Sequence, residues 1–202
     1  RSGVVDDPQQ AKECVDRILK ETNHMTALIA DILMISRLEG NDVVEEKIAI
    51  PLRSTVDEIC KSLTCMAQEA HVTLDVPCED CNVLMSQKNL DQLLSNLITN
   101  AIKYNRENGT VDVFVKSERQ RLVMTVEDSG IGISKEDQKH IFERFYRVDK
   151  GRSRKVGGTG LGLSIVKHIV RYYNGSIDVF SRENIGTKMT ITLPNIIVKN
   201  KD

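Results

Sequence analysis

Asn96, Asn100 and Lys103 stand at i, i+4 and i+7, and Tyr104 follows Asn100 by four residues, so on a helix they fall on one stripe. Two carboxamides, an ammonium and an aromatic ring in line are the groups that hold a metal, a phosphate and a flat base; the same stripe also fits a solvated helix face. Asp128-Ser-Gly130-Ile-Gly132 follows a strand-like run. Its glycines let main chain approach a ligand closely, and a carboxylate at a strand end can accept from an exocyclic amine, although such a segment is also an ordinary turn. Gly157-Gly158-Thr159-Gly160-Leu161-Gly162-Leu163-Ser164 leads into a helical pattern whose free N–H groups favour an anion. The glycine spacing is not that of a dinucleotide fingerprint, and Leu163 stands where a Walker loop needs lysine. Between these clusters, Ser134 to Val156 carries Phe142, Phe145 and Tyr146 with a basic run of Arg147, Lys150, Arg152, Arg154 and Lys155. A stretch of that length reads as a lid with aromatic anchors and phosphate-seeking cations, or as solvated surface.

The elements that must position these residues follow from periodicity. Leu90, Leu93, Leu94, Leu97, Ile98 and Ala101 give Ser86 to Asn105 one buried helical face. Asp7-Pro8 opens and Gly40 closes a longer helix whose stripe (Val15, Ile18, Met25, Ile29, Ile32) is too broad to be stable alone in water, which predicts a bundle helix. Strands are expected at Glu45–Ile50, closed by Pro51, at Val72–Val76 and at Asn82–Met85, with a helix over Ser54–Ala70. Asn108-Gly109 opens a hairpin of alternating Val111, Val113, Val115 and Leu122, Met124, Val126. Leu161–Tyr173 is a helix, and Ser176–Ser181 with Lys188–Leu193 a last hairpin. The fold class is α+β: a two-layer sandwich of one mixed, mostly antiparallel sheet covered by helices on one face, with a long N-terminal bundle helix.

With 202 residues, 40% hydrophobic content and a formal charge of -1, the composition is that of a globular chain without the basic footprint of nucleic-acid binding. No apolar run approaches the ~18 residues of a membrane span and the first residues are polar, so neither a span nor a secretion signal is expected in these residues. Five scattered cysteines suit reduced thiols. Cys78 and Cys81 have knuckle spacing that Cys60 and Cys65 could complete as a zinc site, or they form a turn with free thiols.

Taken in order, NLITNAIKY, VEDSGIG, IFERFYRVD, GGTGLGLSIVKHIV and GTKMTITLP resemble the N, first glycine, F, second glycine and last glycine boxes of sensor histidine kinases of two-component systems. The resemblance implies a Bergerat-type ATP-binding catalytic domain over residues 45–199. Residues 1–41, ending MISRLEG, are similar to the second helix of the family's dimerisation and phosphoacceptor hairpin. It implies ATP and Mg²⁺ as cofactors, with Asn100 ligating the ion and Asn96 beside it, Lys103 on a phosphate and Tyr104 against the adenine. Asp128 would accept from the adenine amine, Gly130 and Gly132 would admit the base, and Thr187 would support it through water. Gly158, Thr159, Gly160, Leu161 and Gly162 would wrap the triphosphate, and Arg147 would approach its end. Asn100, Lys103 and Arg147 are then the expected catalytic set. The implied partners are a response regulator receiver domain and a second copy, the homodimer forming through the N-terminal helix in the complete protein, and the implied location is the cytoplasm, with a membrane met only through segments outside this chain.

Hydrolytic relatives carry a glutamate four residues before the metal-binding asparagine. Here that position is Asn96, and an amide cannot take a proton from water, so transfer to a protein acceptor is expected over hydrolysis. The family's acceptor-histidine box does not occur in these residues: none of His24, His71, His140 and His168 has its pattern. A non-enzymatic ATP-binding regulatory module and an anti-sigma-type serine kinase are the alternatives.

Overall fold

The computed structural model describes residues 8–39, 46–148 and 158–198. The expected cap Asp7, stop Gly40, strand start Glu45, lid residues Lys150, Arg152, Arg154, Lys155 and Val156, loop residue Gly157 and domain end Lys199 lie outside them.

Helix α1 (Pro8–Glu39) forms as its apolar spacing requires. Only Met34 and Ile35 are buried, while Val15, Ile18, Leu19, Met25, Ile29, Ile32 and Leu33 are exposed, so most of the apolar stripe has no cover among the described residues. After β1 (Ile48–Pro51), α2 (Leu52–Glu69), β2 (Thr73–Asp75) and β3 (Asn82–Met85) comes α3 (Gln87–Lys103). The hairpin β4 (Thr110–Glu118) and β5 (Arg121–Asp128) follows, then α4 (Gly162–Tyr172), β6 (Ser176–Arg182), β7 (Gly186–Pro194) and β8 (Ile197–Val198).

The main sheet runs β2-β4-β5-β7-β6, with β2 parallel to β4 and the other pairs antiparallel. Strict alternation puts Val111, Val113 and Val115, then Leu122, Met124 and Val126, then Ile191 and Leu193, on one face. Against that face lie Leu90, Leu93, Leu94, Leu97 and Ile98 of α3 and Ile165, Val166 and Ile169 of α4, all buried. At about 1.5 to 3 kcal/mol for each fully buried aliphatic side chain, this layer is the main stabilising term and fixes both helices against the sheet.

Two local expectations are corrected. The single sheet is joined by a second, β1-β3-β8, in which Ile48 faces Met85 and Val83 faces Ile197. Its three strands pair only with one another, and just after β3 the Ser86 N–H donates to the hydroxyl of Tyr173, at the C-terminal end of α4, at 2.9 Å. Helix α2 starts at Leu52, not Ser54, because the Ser54 and Thr55 hydroxyls bond back to the Pro51 carbonyl at 3.1 and 3.0 Å within the first turn, and Pro51 itself pairs with Asn82.

Candidate functional site

The sheet and its two covering helices bring the N-terminus of α4 against the middle of α3. A Cβ on Gly162 would lie 2.9 Å from Asn96 Oδ1 and 3.8 Å from Asn100 Nδ2, so the backbone of the glycine-rich segment sits directly on the carboxamide stripe. Asn96 donates from Nδ2 to Gln92 Oε1 at 3.3 Å. Lys103 ends α3, and Tyr104 lies one residue beyond, its ring partly exposed and its carbonyl accepting from Ile131 N–H at 3.0 Å.

That bond ties the C-terminus of α3 to the loop after β5. Asp128, the last residue of β5, is paired across the sheet with Thr187 of β7. Its Oδ1 accepts from Gly130 N–H at 2.9 Å and Thr187 N–H at 3.2 Å, which leaves Oδ2 to face other groups. Burial raises the Asp128 carboxyl to about 6, against the two N–H bonds that favour its charged form. A carboxylate held at that cost by the fold is a site candidate rather than a surface ornament.

Gly132 adopts φ +68, and a Cβ there would fall 1.9 Å from the Arg182 carbonyl oxygen. Gly132→Ala is therefore expected to lower stability by roughly 2 kcal/mol or more, read as a fall in the urea midpoint with unchanged slope.

At the other end, burial and the neighbouring Arg147 together hold Lys103 below its ordinary pKa. Arg147 donates from Nη1 to the Gly158 carbonyl at 3.0 Å. Two cations brought together beside a glycine-rich helix entry favour a polyanion, which would relieve their repulsion. Gly158 has open space around its Cβ direction, and Gly160, at φ +72, packs against the Phe145 backbone, whose N–H bonds the Gly160 carbonyl at 2.9 Å. The Thr159 hydroxyl donates to Asp31 Oδ2 of α1 at 3.0 Å and accepts from Leu161 N–H at 3.2 Å.

Of the expected site positions, Asn96, Asn100, Lys103 and Tyr104 lie on or just after α3, and Asp128, Gly130, Gly132 and Thr187 lie at or beside the end of the β5–β7 pair; Gly162 approaches Asn96 and Asn100, and Arg147 neighbours both Lys103 and Gly158.

Three features went unforeseen. Helix α1 docks here through Asp31–Thr159 and through Glu39, which pairs with Arg144 and lies 3.6 Å from His168. Arg106 donates to the Ser129 carbonyl and, at 3.1 Å, to the Ile185 carbonyl, joining the two loops behind Asp128. Ser181 contacts Thr187 hydroxyl to hydroxyl at 2.8 Å. The first two are polar contacts between distant segments with no local period, while Ser181 and Thr187 face each other across the β6–β7 hairpin. The zinc alternative is corrected: Cys60 and Cys78 are buried with thiols raised to about 11, Cys65 is exposed, and no three-ligand His/Cys/Asp/Glu cluster exists among the described residues. No helix among the described residues is long and apolar enough to cross a membrane.

This architecture is that of a nucleotide-binding catalytic domain, and the sequence comparison places it. Residues 85–197 match the profile of the "Histidine kinase-, DNA gyrase B-, and HSP90-like ATPase" family, and the chain belongs to that family, in its histidine kinase branch. It is 40% identical over 177 residues to sensor histidine kinase RppB of Synechocystis sp., covering 87% of this chain and 39% of that protein. It is 40% identical over 178 residues to sensor histidine kinase WalK of Bacillus subtilis, covering 86% and 29%. The chain therefore spans about a third of the length of these two relatives. The crystal structure of full-length ShkA in complex with AMPPNP superposes with a TM-score of 0.82 at 21% identity, over 96% of this chain and 40% of that one, a likeness of fold.

Proposed function

We propose that this chain is the catalytic core of a sensor histidine kinase that binds Mg-ATP and passes the γ-phosphate to a histidine, for relay to a response regulator receiver domain. Residues 45–199 form the ATP-binding domain, and residues 1–41 form the second helix of a dimerisation hairpin that pairs with another copy through its uncovered apolar stripe. The portion described is placed in the cytoplasm on this reading. The acceptor histidine lies outside these 202 residues, on the same protein or on a partner subunit.

The observation that carries the proposal is the close approach of Gly162 to Asn96 and Asn100, with Asp128 at one end of the cleft and the Lys103–Arg147 pair at the other. Phosphoryl transfer asks a protein mainly for positioning and charge neutralisation. Asp128 Oδ2 takes the base edge, the Thr187 hydroxyl supports the base through water, Tyr104 packs on its plane, and Gly130 and Gly132 leave room for it. Lys103, Arg147 and the N–H groups of residues 158–162 hold the phosphates. The donor set fits magnesium, which keeps waters and substrate phosphates as ligands and needs only one or two protein oxygens; the Asn100 carboxamide supplies one. When bound, the ion neutralises charge on the phosphate oxygens. The amide of Asn96 cannot deprotonate water, which disfavours hydrolysis and leaves transfer to a positioned imidazole.

The test is phosphotransfer from radiolabelled ATP to an added dimerisation hairpin carrying the acceptor histidine. The expected product is acid-labile, base-stable phosphate on that hairpin. Acid-stable phosphate on a partner's hydroxyl would support the serine kinase instead. Tight ATP binding with no transfer to any hairpin, including one matched to this chain, would support the regulatory module.

A further inference from the structure

Ser181 lies on β6 behind the proposed base end of the cleft, and its side chain touches three residues in two segments. Its Oγ accepts from Ile133 N–H at 2.8 Å, donates to the Gly186 carbonyl at 2.9 Å, and stands 2.8 Å from Thr187 Oγ1. An amide N–H can only donate and a carbonyl can only accept, so the single serine proton belongs to Gly186. The Thr187 hydroxyl then donates to Ser181, which uses both serine lone pairs and fixes the threonine rotamer.

The same side chain spans the two walls that hold Asp128. Ile133 ends the loop that contains Gly130 and Gly132, while Gly186 and Thr187 open β7, whose Thr187 N–H bonds Asp128 Oδ1. Gln138 reinforces the joint by donating to the Ile133 carbonyl at 2.8 Å and the Ser181 carbonyl at 3.1 Å. Gly186 has no room for adjustment, since a Cβ there would lie 1.9 Å from the Asp128 carbonyl oxygen.

We infer that Ser181 is a positioning residue for base recognition: it sets the Thr187 hydroxyl and the spacing between the Gly130–Gly132 loop and β7, and so shapes the pocket that Asp128 lines. This rests on the reading of Asp128 and Thr187 as the base-binding pair. Ser181 touches no ligand in this account; it acts through Thr187. In Ser181→Ala the threonine hydroxyl turns freely and Ile133 N–H loses its acceptor, while the phosphate end, held by α3 and the α4 entry, keeps its geometry.

The experiment is calorimetric titration of wild type, Ser181→Ala, Thr187→Val and the double variant with Mg-ADP, which engages both ends, and with Mg-tripolyphosphate, which engages only the phosphate end. We expect Ser181→Ala to weaken Mg-ADP by about 10-fold, the effect of one mispositioned buried hydrogen bond, and to leave tripolyphosphate unchanged. In the Thr187→Val background Ser181→Ala should add only the smaller loss that the loop spacing carries, well short of the sum of the two single effects. Ser181→Cys, which keeps volume but weakens the hydrogen bonds, replaces the alanine variant if the latter does not fold. Equal losses for both ligands would make Ser181 merely structural and overturn the proposal. Unchanged Mg-ADP affinity in Ser181→Ala beside a loss in Thr187→Val would overturn it while leaving the base-site reading intact. No loss in either variant would remove that underlying reading.

Discussion

Asp128→Asn is expected to weaken Mg-ATP binding by about 100-fold or more while making the nucleotide-free protein more stable at pH 8. The first effect follows from polarity. Oδ1 is occupied by Gly130 and Thr187 N–H groups, so the asparagine must turn its carboxamide nitrogen toward the ligand, placing a donor where the account needs an acceptor for an amine. The second follows from burial, which holds the folded carboxyl at about 6, above its ordinary 3.8. The folded chain therefore binds this proton more tightly than the unfolded one, and ionisation costs stability as pH rises from about 4 through 6. Removing the charge returns roughly 1 to 2 kcal/mol at pH 8, and the gain should vanish near pH 4. Thermal melts across that range measure it. In wild type, affinity for Mg-ATP should fall as pH drops through about 6, as the carboxyl gains a proton and ceases to accept.

Asn100→Ala is expected to reduce phosphotransfer by about 100- to 1000-fold and to abolish the magnesium-dependent part of ATP affinity. Asn100 is only partly buried and sits on the polar face of α3, away from Leu97 and Ile98, so the folded state should change by no more than about 0.5 kcal/mol. Titrations with and without magnesium separate the two effects. A variant that binds metal-free ATP normally but gains nothing from the ion has lost a ligand rather than its fold.

Most of this arrangement was legible because it is local. The stripe of Asn96, Asn100 and Lys103 is a consequence of 3.6 residues per turn, and the inward Val and Leu positions of β4 and β5 of a period of two. The glycines of the two loops announced close approach, which the clashes at Gly132 and Gly162 make quantitative. Pairing between segments was not legible. Nothing in Glu45–Ile50 or Asn82–Met85 said that these strands would pair with each other and with β8 outside the main sheet. Ser54 was expected to open a helix, yet its hydroxyl bonds back to the Pro51 carbonyl inside the first turn of α2. Asp31 of α1 hydrogen-bonds Thr159, 128 residues further along the chain. Long-range polar contacts of this kind depend on packing already achieved and leave no periodic trace in the residues that make them.

The central claim is that an adenine nucleotide lies in the cleft between α3, the end of β5 and the entry to α4. Calorimetric titration of the chain with ATP in excess magnesium tests it most directly, with Asp128→Asn and Asn100→Ala alongside. A saturable heat with one nucleotide per chain is expected, with affinity reduced at least tenfold in each variant although both melt cooperatively. A flat titration, with no rise in melting temperature at saturating nucleotide, or full affinity retained by both variants, would contradict it.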